Sequence, residues 1–107
     1  MSLDVYLLDE DGECVYSRNI THNLNTIADR AGCYKSLWRP EEIGATRGND
    51  IEPQLRQSLK LLRSEPLFFA EFNPSNGWGD YDGLIEFIDS YHKACKRYPE
   101  ATIEVSR

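Results

Sequence analysis

Apolar and polar residues alternate at the start of this chain. Leu3, Val5 and Leu7 fall on one side of the segment 2–8 and Asp4 and Tyr6 on the other, the period of a strand with one packed face. Asp9-Glu10-Asp11-Gly12 follows, and a D-G pair between apolar runs marks a hairpin. The return strand is predicted over 13–17, with Cys14 and Tyr16 on one side and Val15 on the other. Thr21 then reads as a helix N-cap. Leu24, Ile27, Ala28 and Ala31 follow at helical spacing, and Gly32 stands where a left-handed residue closes a helix. A short helical piece over 34–38 ends at Arg39-Pro40, because a residue before proline avoids the α region.

In the second half, 44–48 reads as loop, and Asn49 or Asp50 caps a helix with the stripe Ile51, Leu55, Leu59 and Leu62. Pro53 is tolerated in its first turn. Pro66 breaks the pattern, and Leu67, Phe68, Phe69 and Phe72 form an apolar knot on a short helix. Residues 73–79 carry two turn signals, Asn73-Pro74 and Asn76-Gly77. The clearest helix runs from Tyr81 to Arg97, with Leu84, Phe87, Ile88, Tyr91 and Cys95 on one stripe, and Pro99 stops it. Ala101, Ile103 and Val105 then alternate with Thr102, Glu104 and Ser106 in a final strand. The expected fold is one α+β domain over 1–107. It has a three-stranded antiparallel sheet, made of the N-terminal hairpin and the C-terminal strand beside its first strand. Three to four helices pack on one face.

Charge narrows the function classes. With 12 basic against 18 acidic residues the net charge is −6, which argues against direct nucleic-acid binding. Basic residues interleave with the acidic ones throughout, unlike the one-faced acidity a DNA mimic needs. Apolar runs fall far short of the ~20 residues of a membrane helix. Asp4 and Asp9 interrupt the first apolar stretch, as a signal peptide would not allow, so no membrane contact and a cytoplasmic location are expected. Cys14, Cys33 and Cys95 are odd in number and widely spaced, the usage of reduced thiols. A catalytic cysteine with His22 or His92 has no local signature. GxGxxG, Walker A, HExxH and GxSxG motifs are absent, and the acidic turn lacks calcium-loop spacing, so no metal or cofactor is expected. Assembly into a homo-oligomer is left open.

Three stretches concentrate polar and aromatic residues at element boundaries: 19–25, 37–42 and 73–81. Thr21, His22 and Asn23 open a helix whose free N–H groups suit an anion. Arg39 offers a bidentate fork. Trp38, Trp78 and Tyr81 present flat faces, and Asn73 and Asn76 provide donors and acceptors for a polar ring edge. Together these nine residues form the candidate ligand site, suited to a small anionic, nucleotide-derived molecule. Each also has an ordinary structural role as cap, turn former or core aromatic.

The stretches SLDVYL, VYSRNITHNLNTIADRAGCYKSLWRPEE, FNPSNGWGDYDGLIEFI and ATIEVSR resemble a family of small proteins of bacteriophage and bacterial genomes, with NITHNL, LWRPEE and NPSNGWG as its distinctive motifs. That family has no assigned activity. The resemblance covers nearly the whole chain and implies a phage setting, in the host cytoplasm, where a counter-defence protein that sequesters a nucleotide immune signal has a place. The leading expectation is therefore a non-enzymatic binder, a sponge for such a signal. One alternative is a small nucleotide-processing enzyme using His22 with Asp80 or Asp82. Another is an acidic protein-binding inhibitor of a host factor.

Overall fold

Alternation at the two chain ends builds one sheet. The computed structural model describes residues 2–74 and 79–107. Strand β1 (Ser2–Leu8) lies at the centre of a three-stranded antiparallel sheet, between β2 (Cys14–Thr21) and β3 (Thr102–Ser106). Leu3, Val5 and Leu7 are fully buried on the packed face. Directly across from them stand Ile20, Arg18 and Tyr16 on β2, and Val105 and Ile103 oppose Val5 and Leu7 on β3. The hairpin turn is tied by Asp9, whose Oδ1 accepts the N–H groups of Asp11 and Glu13, both at 2.9 Å.

Strand β2 runs four residues beyond the end expected at Ser17. Arg18 explains the difference: a charged residue at a core-facing position reads as a strand end, but here the edge lets its guanidinium reach Glu86 at 2.7 Å. The helix expected from Thr21 is correspondingly displaced. Residues His22–Leu24 form a single 3-10 turn, and α1 (Asn25–Arg30) follows, closed by Gly32 at φ 84°.

The remaining helices are α2 (Tyr34–Trp38), α3 (Gly48–Ser64), α4 (Pro66–Ala70) and α5 (Tyr81–Arg97), with a 3-10 turn at Pro40–Ile43. The α5 stripe Leu84, Phe87, Ile88, Tyr91 and Cys95 is buried as its period predicts. This helix lies on the packed face of the sheet, where Tyr16 stacks parallel to Tyr91 at 5.7 Å and its hydroxyl meets Ser90 Oγ at 2.8 Å. Helices α3 and α5 pack antiparallel: Glu52 near the start of α3 meets His92, and Arg63 near its end meets Asp89. The apolar knot of α4 divides, with Phe69 buried and Leu67 84% exposed. Among the described residues no helix is long and apolar enough to cross a membrane.

Candidate functional site

Strand β2 delivers Thr21 to the surface of the core, and the turn that follows gathers the three polar-aromatic stretches. Trp38 is only 2% exposed, so its indole N–H needs a partner in the interior. It finds His22 Nδ1 at 3.3 Å. Indole nitrogen only donates, so Nδ1 is the acceptor and the ring proton sits on Nε2. Nε2 donates in turn to the Ser2 carbonyl at 2.7 Å. This relay ties the second stretch to the first and both to the start of β1. Arg107 adds a further tie, donating to the Trp38 carbonyl at 2.8 Å and to Glu41 at 3.0 Å.

The third stretch reaches the same turn through Gly79. A Cβ built there would stand 2.6 Å from Thr21 Cγ2 and 3.1 Å from Leu24 Cγ, and its φ of 89° is one that side chains avoid. Asn73 Oδ1 accepts the Tyr81 N–H at 2.8 Å, and the buried Tyr81 hydroxyl donates to the Leu62 carbonyl. The stretches therefore converge on Thr21–Leu24, but through groups directed inward. Thr21 Oγ1 accepts the Asn23 N–H at 3.3 Å, which occupies one of the N–H groups expected to face an anion. The Asn23 side chain is exposed. Arg39 lies half-exposed with Nε 3.7 Å from Glu42. Asn76 and Trp78 lie outside the described residues.

Beside this hub the open space belongs to a residue that the sequence reading passed over. Tyr34 stacks nearly parallel on Trp38, with ring centroids 5.5 Å apart and planes 13° apart. It borders two hollows. One, of about 320 Å³, is lined by Asn25, Thr26, Asp29, Arg30 and Tyr34. The other, of about 450 Å³, shares Asp29 and Tyr34 and adds Lys35 and Gln54 among its walls. Tyr34 beside the Arg39 guanidinium raises its already high pKa, and Glu42 and Glu41 act in the same direction. Lys35 and Arg39 share a single carboxylate, Glu42, at 3.8 and 3.7 Å. The signal for Tyr34 was its i, i+4 spacing from Trp38, which places two aromatic rings on one helix face.

Acid–base and thiol chemistry find few free groups here. Both His22 nitrogens are engaged, and Asp80 caps α5 by accepting the Gly83 N–H at 2.8 Å. Burial pushes the Cys33 and Cys95 thiols up to about 12, so both stay protonated at neutral pH. All three cysteines are free, and Cys14 is the exposed one. Among the described residues no group of three or more His, Cys, Asp or Glu side chains is placed to hold a metal ion. No family model, curated protein or solved structure matches the chain.

Proposed function

We propose that this chain binds, without converting it, a small anionic molecule of the nucleotide class in the trough beside Tyr34. The observation that carries this reading is the backing of the Tyr34 ring. It lies on Trp38, which is held by His22, which is held by the Ser2 carbonyl. A platform fixed in this way loses little freedom when a flat ring settles on it. Asn25, Asp29 and Gln54 supply acceptors and donors for the edge of that ring, and Arg30 and Lys35 supply positive charge for its anionic group. Each hollow is within the range of small-molecule sites, roughly 300–1,000 Å³.

The enzyme alternative pairs His22 with Asp80 or Asp82; both ring nitrogens of His22 and the Asp80 carboxylate are engaged in holding the fold, and Asp82 is exposed on the first turn of α5. The resemblance of the NITHNL, LWRPEE and NPSNGWG stretches to phage proteins makes a sponge for a nucleotide immune signal the biological form of this reading. Mass spectrometry of small molecules released by denaturing chain purified from phage-infected cells is the test. An intact nucleotide, retained by the native chain and lost from Tyr34→Leu, is the expected result. A chemically altered ligand, or equal retention by Tyr34→Leu, contradicts it.

A further inference from the structure

A second concentration of charge lies on the opposite side of α3 from Gln54. Helices α3 and α5 enclose a groove of about 420 Å³, lined by Arg56, Lys60 and Arg63 from one helix and Lys93 and Lys96 from the other. Five of the chain's 12 basic residues thus face one groove in a chain with net charge −6. The spacing is that of a helix face. Arg56, Lys60 and Arg63 stand at i, i+4 and i+7, and Asp89, Lys93 and Lys96 repeat the spacing on α5. Seven residues of helix span about 10 Å and three about 4.5 Å, so three cations on α3 form the longer row and Lys93 and Lys96 on α5 the shorter one across the antiparallel pair.

The single carboxylate in the lining, Asp89, positions two of these cations. It accepts from Lys93 Nζ at 2.8 Å and faces Arg63 at 3.6 Å. Glu52 at one end takes His92 at 3.0 Å and Arg56 at 3.5 Å. Lys60 and Lys96 have no acidic partner among the described residues. Leu59 is the apolar lining residue, and among the lining residues the one ring is the imidazole of His92, tied through Nε2 to Glu52 at 3.0 Å, so the groove offers charge far more than stacking surface.

We propose that this groove binds a short phosphate chain, two or three linked phosphates, free or carried on a nucleoside. A single phosphate meets only one or two of the five cations, whereas a chain of phosphates meets both rows. A long nucleic acid extends beyond the groove. There the rest of this acidic chain repels it, while a ligand confined to the groove sees the local cations within a screening length of about 8 Å. The proposal is independent of the Tyr34 reading, since it uses another face and other side chains.

Calorimetric titration of the full chain with inorganic tripolyphosphate, inorganic phosphate, ATP and a 20-nucleotide single-stranded DNA tests it. Tripolyphosphate is expected to bind at least tenfold tighter than phosphate, with affinity falling steeply as salt rises. ATP is expected to match it whether or not its base makes contact. Lys60→Gln should weaken tripolyphosphate about fivefold and the double variant Lys60→Gln/Lys96→Gln more than tenfold. Arg97→Gln removes the same charge from α5 outside the groove and should leave affinity unchanged. Tyr34→Leu should bind tripolyphosphate as the native chain does. Equal weakening by Arg97→Gln would show an effect of net charge alone and overturn the site. So would no tripolyphosphate binding at millimolar concentration, or tighter binding of the DNA.

Discussion

Around Thr21–Leu24 the conspicuous polar groups face one another, whereas along α3 and α5 the charged groups face outward. In the first region Trp38, His22, Thr21, Asn73 and Tyr81 each give a hydrogen bond to, or take one from, the protein itself, often a backbone group far away in sequence. In the second, Lys60 and Lys96 have no acidic partner among the described residues, and Arg63 and Lys93 share one carboxylate. Rare residue types mark where this fold needs specific geometry. Its outward-facing charge comes from common lysines and arginines, whose positions acquire meaning only once two helices pair. The Tyr34 trough lies between the two cases: an outward face built on an inward relay.

The largest effect is expected at Trp38, in the inward-facing region. Trp38→Ala removes a buried ring and leaves His22 Nδ1 without its donor, and should cost about 3–5 kcal/mol in urea denaturation. A loss below about 1 kcal/mol would mean that the hub does not hold the fold. Gly79→Ala comes next. It places a methyl group against Thr21 and Leu24 on a backbone with φ 89°, and overpacking of this kind costs roughly 1–3 kcal/mol before strain is added. Wild-type stability there would separate the third stretch from the hub.

Asp50 sharpens the contrast through pH. It borders the larger hollow, yet its carboxylate accepts the N–H groups of Thr46 at 2.9 Å and Arg47 at 3.0 Å at the start of α3. Those backbone N–H groups hold its pKa below the ordinary 3.8. A depressed carboxyl contributes stability that is fully present above the unfolded value and lost as pH falls through the folded one. Asp50→Asn should therefore lower stability near neutral pH, by less than about 1 kcal/mol because the carboxylate is exposed and screened by solvent. The gap from wild type should close only as pH drops below 3.8. A gap that persists unchanged in acid would place the effect elsewhere. The smallest effect belongs to the groove: Lys60→Gln/Lys96→Gln should shift stability by less than about 0.5 kcal/mol, because both side chains are exposed. A larger shift would make the groove part of the scaffold.

Much of this arrangement was legible in the sequence, and unevenly so. Strands β1 and β3 and helix α5 followed from uninterrupted periods, and the adjacency of the two terminal strands followed from their matching alternation. The end of β2 was not legible, because Arg18 occupies a packed-face position that only Glu86 on α5 makes tolerable. The start of α1 shifted because residues 22–24 complete a 3-10 turn first. The special character of His22, Trp38, Asn73 and Tyr81 was visible. Their inward direction was not, because it depends on the Ser2 and Leu62 carbonyls and the Tyr81 N–H. Tyr34 stands at i, i+4 from Trp38, but that spacing fixes only a shared helix face; that its ring lies flat on Trp38 and borders open space depends on the packing around it.

The two sites are separated most directly by a pair of amide chemical-shift maps on the full chain, one with a nucleoside monophosphate and one with inorganic tripolyphosphate. The monophosphate is expected to shift Asn25, Asp29, Tyr34 and Gln54 and to leave the amides around Lys60 and Lys96 unmoved. Tripolyphosphate should do the reverse. A monophosphate map with no shifts at Asn25, Asp29 or Tyr34, or one centred on the α3–α5 groove, would contradict the assignment of the binding site to the Tyr34 trough.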